Sequence, residues 1–245
     1  IVTPPYIDFV LPFASSLLQL SLYFPLVSHP RSKVPSLIAH LPQLQILTLT
    51  ETFPEPLDLR ELTNLHSLNL RSSKPRKLDI PSSLTRLEVD ASPSTATLSD
   101  LLALTRLRHL HIEDLSQDAV QCLEDSPHAW PLLETCYLRG KDVVLRPKFL
   151  QNTTCLSSLT YLLPGLQPED VLPSAPSLEC LHAYVQPEWA PVLSKCRLLR
   201  ELVMHPHLSD PQPFVPQFLV ALTQLPSLRV LRFLDNQHAV DYNDA

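Results

Sequence analysis

The chain has 245 residues, 44% of them hydrophobic, and a formal net charge of −6. This acidic balance argues against nucleic acid as the main ligand, because binding to phosphates needs a basic stripe on the surface. With glycine only at Gly140 and Gly165, the chain has no glycine-rich phosphate loop and no GxSxG nucleophile elbow. We therefore predict no enzymatic activity and no cofactor.

The stretch of residues 7–26 is apolar enough to raise the question of a membrane span. It contains Asp8, Pro12 and Pro25, and the pattern LxxLxL begins inside it at Leu17. We interpret it as the first of a series of repeats and predict no contact with a membrane. Because the chain starts at Ile1 within that repeat, we expect it to be a fragment of a longer chain.

The pattern LxxLxL recurs 19 to 29 residues apart and begins ten times in all, at Leu17, Leu44, Leu65, Leu84, Leu107, Leu133, Leu156, Leu178, Leu199 and Leu228. This spacing is expected when each repeat contributes one strand and one crossover. The fourth and sixth positions lie two residues apart on a strand, so their side chains face the same side, and stacked repeats bury the leucine rows in one core.

This spacing predicts an α/β fold, a leucine-rich repeat solenoid. We expect a curved horseshoe of about ten repeats, with a parallel sheet on the concave side and with helices and loops on the convex side. Because the repeats run almost end to end, residues 1–245 are predicted to form a single leucine-rich repeat domain.

Other residues replace leucine at several core positions: Val89, Ile112, Cys136, Ala183, Met204 and Phe233. These are all apolar, so we predict that they are buried. Tyr161 also occupies a core position, and its hydroxyl group needs a hydrogen-bond partner or a route to solvent.

Proline stands two residues before the opening leucine in four repeats, at Pro42, Pro131, Pro176 and Pro226. Proline ends a helix and biases the preceding residue towards extended geometry. These prolines are therefore predicted to mark the change from crossover to strand.

Four crossovers have a helical pattern: residues 34–41, 98–106, 116–124 and 214–225. Ser99 and Ser116 are candidate N-caps for two of these helices. The short repeat from Leu65 to Leu84 has no room for a helix, and we expect Leu78 and Ile80 to add an apolar contact there. With so few glycines, turns that need positive φ are expected to be few or to use Asn and Asp.

The five cysteines are odd in number and form no CxxC pair. This usage favours reduced thiols and a cytoplasmic or nuclear location. A contrary observation is the N-glycosylation sequon at Asn152, which is expected on the surface of a secreted protein.

If the core takes positions 1, 4 and 6 of the pattern, positions 3, 5 and 7 project from the concave face. The middle repeats are the richest there in the residue types that anchor protein interfaces. We predict a partner-binding patch formed by Arg71, Arg86, Glu88, His109, His111, Glu113, Tyr137 and Arg139, with His182, Tyr184 and His205 extending it towards the C-terminus. The predicted partner is another protein.

His109, His111 and Glu113 alternate on one predicted strand beside Glu88 and Asp90, and these residue types are metal ligands. Side chains two residues apart on a flat strand diverge, so we predict no metal site. A solvated strand face, or a pH-sensitive contact through the imidazoles, is the favoured interpretation.

The segments LPQLQILTL, LTNLHSLNL, LTRLRHLHI, APSLECLHA and LPSLRVLRF make the chain resemble the irregular leucine-rich repeats of F-box/LRR proteins. The resemblance implies an F-box upstream that docks to a cullin-RING ubiquitin ligase, while the solenoid captures the substrate. Two alternatives stay open: the sensor part of an intracellular receptor or signalling protein, and a secreted binding ectodomain. An F-box, a nucleotide-binding domain or a signal peptide upstream would distinguish the three.

Overall fold

The computed structural model describes residues 11–23, 38, 40–50, 57–71, 78–90, 95–140, 143–184, 187–205 and 216–233. In these residues the fold is α/β and is dominated by one long parallel sheet. The strands in chain order are β1 (Gln19–Tyr23), β2 (Ile46–Thr50), β3 (Leu57–Asp58), β4 (Ser67–Arg71), β5 (Leu78–Asp79), β6 (Arg86–Val89), β7 (His109–Ile112), β8 (Thr135–Arg139), β9 (Ser158–Leu162), β10 (Cys180–Tyr184), β11 (Glu201–His205) and β12 (Val230–Phe233).

Within the described residues, ten of these strands form the long sheet, in the order β1, β2, β4, β6, β7, β8, β9, β10, β11, β12. The sheet does not close into a barrel, and every neighbouring pair is parallel. β3 and β5 pair separately in a small parallel sheet that the sequence pattern did not predict. An open parallel sheet with crossovers of this kind is compatible with a solenoid.

The leucine rows are aligned from strand to strand without a slip. Leu47 is the register partner of Leu68, and Leu87 that of Leu110. The strands from β2 to β10 alternate between buried residues at the leucine positions and more exposed residues between them. This alternation confirms that positions 4 and 6 of the pattern face the core.

A second set of hydrogen bonds joins the segments just before the strands. The carbonyl oxygen of Gln45 accepts from the amides of His66 and Ser67, at 3.0 and 3.1 Å. The carbonyl oxygen of His66 then accepts from Thr85 and Arg86, at 3.0 and 2.9 Å. The same two-to-one arrangement continues along the sheet as far as β12. It fixes where each strand begins, because one acceptor holds two consecutive amides of the next repeat.

The prolines before the strands lie in turns. The amide of Leu44 donates to the carbonyl oxygen of Leu41 (3.1 Å), which places Pro42 at the second position of a four-residue turn. Proline suits that position because its ring fixes φ near the required value. Equivalent turn bonds precede β8 and β12. The last helix ends at Thr223, so Pro226 belongs to the turn and does not itself end the helix.

The α-helices are α1 (Thr95–Leu102), α2 (Gln117–Glu124), α3 (Pro168–Val171), α4 (Ala190–Leu193) and α5 (Pro216–Thr223). Short 3-10 helices occupy Leu11–Phe13, Lys148–Asn152, Leu172–Ser174 and Pro187–Trp189. Buried residues of the helices, among them Leu98, Leu101 and Leu123, belong to the same core as the strand leucines. The helices therefore cover the core side of the sheet, and the other face of the sheet stays open.

The predicted helix starts were right in one case and wrong in another. Ser116 caps α2, since its Oγ accepts from the amide of Ala119 at 3.4 Å. Ser99 is not a cap, because α1 begins at Thr95 and Ser99 lies inside it. The predicted helix at 214–225 corresponds to α5, and most of the predicted helix at 34–41 lies outside the described residues.

The replacements at core positions are buried except at the C-terminal end of the described sheet. Phe233 is 52% exposed and Leu231 is 40% exposed. The prediction that Phe233 is a core residue was therefore wrong. Both residues lie on β12, and no further strand of the described chain pairs with its outer edge, so these core positions have a neighbouring strand on one side only.

Positive φ occurs at Asp114 (52°), Trp130 (54°) and Gly165 (108°) in the described residues. Asp114 agrees with the expectation that Asp carries such turns, whereas Trp130 was not foreseen. The Trp130 indole is buried, and its Nε1 donates to the carbonyl oxygen of Leu101 at 2.9 Å. It also packs edge-on against Phe149, with ring centroids 5.2 Å apart. Burial and this hydrogen bond offset the cost of the strained backbone.

All five cysteines are free thiols. Cys136 and Cys196 are buried, and burial raises the pKa of the Cys196 thiol to about 12 and the pKa of Cys136 further. Both thiols therefore act as small apolar groups. Among the described residues, no helix combines the length and the apolar character that a membrane crossing requires.

The Tyr161 hydroxyl group is expected to contribute to stability. It is buried and donates to the carbonyl oxygen of Leu145 at 2.6 Å. Tyr161→Phe leaves that acceptor without a partner, so we expect the free energy of unfolding to fall by about 1–3 kcal/mol in urea denaturation. Tyr137→Phe removes the same atom from a half-exposed site and is the control. Equal losses of unfolding free energy in the two variants would contradict a stabilising contribution from the buried Tyr161 hydrogen bond.

Candidate functional site

The open side of the sheet carries a polar face, which we define as the side chains at positions 3 and 5 of each LxxLxL pattern. At position 3, Arg86, His109 and Thr135 are register partners on β6, β7 and β8. At position 5, Glu88, His111 and Tyr137 are register partners on the same strands. The regular register thus lays these side chains in two parallel rows.

A third row follows at position 7, at the ends of the strands. It consists of Arg71, Asp90, Glu113 and Arg139, and we call it the charged row. Arg71 and Arg139 are the last residues of β4 and β8, while Asp90 and Glu113 come directly after β6 and β7. The amides of Asp90 and Glu113 still donate to carbonyl oxygens of the preceding strands, so their backbones continue the sheet.

The structure therefore places eight of the predicted patch residues on, or directly after, the adjacent strands β4, β6, β7 and β8. His182 and Tyr184 lie on β10 and are separated from the others by β9. β9 contributes Ser158 and Thr160 to the polar face, and the sequence analysis did not single these two out. They are small and uncharged, and only their place in the register identifies them.

The centre of the patch is a stacked pair of rings. The His111 imidazole lies parallel to the Tyr137 ring, with centroids 4.0 Å apart and an interplanar angle of 10°. His111 Nε2 is 3.3 Å from the Glu113 carboxylate. The Tyr137 hydroxyl group interacts with Glu113 and Arg139, and burial, followed by the charge of Glu113, raises its pKa. These contacts hold both rings in fixed orientations.

Hydrogen-bond acceptors are crowded beside the rings. Burial, followed by the charges of Glu88 and Glu113, raises the pKa of the Asp90 carboxyl group. Glu88 also lies 3.9 Å from the Arg71 guanidinium group. Its register partner on β4, Asn69, has a buried side-chain oxygen without a hydrogen-bond partner among the described residues. Asn69 is at position 5 of its pattern and so belongs to the polar face, but it was not part of the predicted patch.

The polar face contains a groove of about 510 Å³. Its polar lining consists of Arg86, Glu88, His109, His111, Thr135, Tyr137, Ser158 and Thr160. His109 Nδ1 and Thr135 Oγ1 are 2.9 Å apart across two strands, which orients the imidazole along one wall. The groove is open to solvent and large enough for several side chains of a partner.

At the C-terminal end of the face, His182 Nε2 is 3.5 Å from Glu201, and the Tyr184 ring packs against His205 with centroids 5.5 Å apart. Burial lowers the pKa of His182, an effect that Glu201 opposes and Arg232 reinforces. Burial, and then the charge of His182, lowers the pKa of His205. Both imidazoles are thus favoured in their neutral form.

The residues with metal-ligand chemistry bond to other protein groups. His111 contacts Glu113, and His109 contacts Thr135. Across the described parts of the chain, no three or more His, Cys, Asp or Glu side chains are grouped so that they could hold a metal ion.

Comparison with known proteins supports the fold alone. No protein-family model matches the chain, and no curated protein matches it. Among solved structures, it is similar to the crystal structure of a Bacteroides fragilis protein from a structural genomics programme, with a TM-score of 0.50 and 14% sequence identity. The match covers 92% of this chain and 68% of that one. Together with the long parallel sheet, it fits a repeat protein with a solenoid-like fold.

Acid is expected to destabilise the C-terminal end of the sheet. Because the folded pKa values of His182 and His205 lie below the ordinary value of 6.5, the unfolded chain binds protons that the folded chain does not. The free energy of unfolding should therefore decrease as the pH falls below about 6.5.

We expect His182→Gln/His205→Gln to reduce this decrease when urea denaturation is compared at about pH 7.5 and about pH 5. A comparison at about pH 8, where both imidazoles are neutral, isolates the effect of the substitutions on packing. An identical pH dependence in the two proteins would contradict the assignment.

Proposed function

We propose that this chain is a leucine-rich repeat module that binds another protein on its polar face. The observation that carries the proposal is the groove over β6 to β9, in which arginine, histidine and tyrosine side chains lie side by side on a rigid sheet. Arginine and tyrosine are enriched where binding energy is concentrated in protein interfaces. Rigid aromatic side chains also lose little conformational freedom on binding.

The leucine-rich repeat assignment rests on the agreement between sequence period and structure. The long sheet takes its strands from the LxxLxL segments, and the leucine rows of these strands lie in register. Proline turns precede several of the strands, and helices or irregular segments connect them. These are the parts that a stack of leucine-rich repeats requires.

Mutual contacts among the groove side chains favour binding over catalysis. His111 is stacked on Tyr137 and paired with Glu113, and His109 is paired with Thr135. Such contacts orient the side chains for recognition and reduce the entropy lost when a partner binds. The surface therefore has the character of a preformed interface.

Cross-linking tests where a partner binds. The photoreactive residue p-benzoylphenylalanine is introduced in place of Thr160, which lines the groove. As a control it replaces the exposed Gln121 of α2, on the side of the sheet opposite the polar face. We expect protein adducts from position 160 and none from position 121. Arg86→Ala/His111→Ala/Tyr137→Ala should abolish the adducts, since truncating one central contact costs about 2 kcal/mol or more. If the triple variant keeps an unchanged circular dichroism spectrum and still forms the adducts, the polar face is excluded as the binding site.

We further propose that the module is the substrate-recognition part of an F-box/LRR ubiquitin-ligase adaptor in the cytoplasm or nucleus. The support is the resemblance of segments such as LTNLHSLNL to the repeats of that family, together with five free thiols. An F-box upstream of this chain would supply the contact with the ligase.

Affinity purification of the full-length protein with mass spectrometry tests the adaptor proposal. We expect a cullin and its adaptor subunit to be recovered with the wild-type protein and with the triple variant, because the ligase contact lies outside the polar face. Recovery of neither subunit with the wild-type protein would contradict the adaptor role. The binding of a partner to the polar face is tested separately, by the cross-linking experiment.

A further inference from the structure

The charged row has a fixed order of charges on four adjacent strands. Arg71 at the end of β4 is followed by Asp90 after β6, Glu113 after β7 and Arg139 at the end of β8. The row therefore presents two carboxylates in its centre and one guanidinium group at each end. A binding partner that matches it needs a positive charge in the middle and a negative charge on either side.

The centre of the row has more acceptors than donors. Glu88 lies beside Asp90 and Glu113. Burial, followed by the charges of Glu88 and Glu113, raises the pKa of Asp90, while His111 and Arg71 oppose this rise. The Arg71 guanidinium group lies 3.9 Å from Glu88, and its charge also acts on Asp90. A cationic group with several donors would relieve the repulsion and could supply donors to several of these oxygens.

The arginine side chains at the two ends of the row are at least partly exposed to solvent. The Arg71 side chain is 57% exposed, so its guanidinium group can contact a partner without leaving Glu88. Arg139 interacts with the Tyr137 hydroxyl group and is half-exposed on the other side of the row. Arginine is suited to this role because its planar group can bind a carboxylate through two parallel hydrogen bonds.

The spacing of the row matches that of an extended peptide. Neighbouring strands lie about 4.8 Å apart, so each arginine is about 7 Å from the midpoint between the two acidic positions. In an extended peptide, residues i and i+2 are about 6.7 Å apart and their side chains point to the same face. A peptide that crosses the strands can therefore place residues i−2, i and i+2 over Arg71, the acidic pair and Arg139.

Given the proposed binding of a protein to the polar face, we infer that the charged row selects an extended segment of the partner with the pattern acidic-x-basic-x-acidic. The basic residue lies over Asp90 and Glu113, and the acidic residues lie over the two arginines. Arginine is preferred to lysine at the centre, because its five donors can serve several of the clustered oxygens at once.

Selection from a random 12-residue peptide library on the immobilised 245-residue chain tests the inference. We expect the recovered peptides to be enriched in the pattern acidic-x-basic-x-acidic. The dissociation constant of the best peptide is then measured by fluorescence anisotropy. A peptide of the same composition with its three charged residues made consecutive should bind roughly fivefold more weakly or worse, as expected when a surface ion pair is lost.

Two double variants test which charges of the row select which residues of the peptide. Asp90→Asn/Glu113→Gln should remove the preference for a basic central residue, and Arg71→Gln/Arg139→Gln should remove the preference for acidic flanks. Glu134→Gln/Glu179→Gln neutralises two carboxylates at position 2 of the pattern, outside the polar face and the charged row, and should leave the selected pattern and the affinity unchanged.

The outcomes separate this inference from the proposed function. Peptides that lack the pattern but lose binding in Arg86→Ala/His111→Ala/Tyr137→Ala would overturn the inference and support the polar face. Peptides that bind equally well to that triple variant would contradict both. Recovery of no peptide above the level on empty beads would also overturn the inference, while the cross-linking experiment would still decide on the face itself.

Discussion

The sharing of one carbonyl oxygen by two amides of the next repeat is the interaction on which the rest of the structure depends. It recurs from β1 to β12 and aligns each new strand with the strand before it. A slip of one residue would turn every leucine towards solvent and every polar side chain towards the core. The same backbone bonds therefore define both the leucine rows and the polar face.

The two faces of the sheet have different roles: one is buried and apolar, and the other is the polar face. This difference explains why the polar face can carry polar side chains without loss of stability. The leucine rows at positions 4 and 6 are buried from β2 to β11 and carry the apolar burial of the sheet. On the other face, His111 pairs with Glu113 and Tyr137, and His109 pairs with Thr135. Most of that polarity is satisfied within the protein, and in the described residues the buried side-chain oxygen of Asn69 is the exception. An unsatisfied buried group of this kind costs free energy in the folded protein.

The sequence predicted those features that follow from a local period and missed those that depend on distant contacts. The strands, their inward leucines and the rows of the polar face follow from the spacing of LxxLxL, and the Ser116 cap follows from its place before a helical pattern. The hydroxyl partner of Tyr161 comes from a segment 16 residues away, and the strained backbone of Trp130 depends on a carbonyl group 29 residues away. Phe233 has the pattern of a core residue, but burial requires a further neighbour, which a local pattern does not report.

In the proposed binding mode, the charged row separates recognition from folding. Asp90 and Glu113 extend the sheet through their backbone amides, a contribution that does not depend on the identity of the side chain. Exchanging an exposed side chain such as Arg71 changes stability by about 0.5 kcal/mol or less, whereas truncating a buried leucine costs about 2–5 kcal/mol. In that binding mode the order of charges along the row is set by the partner, while the leucine rows are set by the fold. Because one and a half strand spacings, about 7 Å, differ little from the i, i+2 distance of about 6.7 Å in an extended chain, a parallel sheet can match the charge pattern of a peptide laid across it.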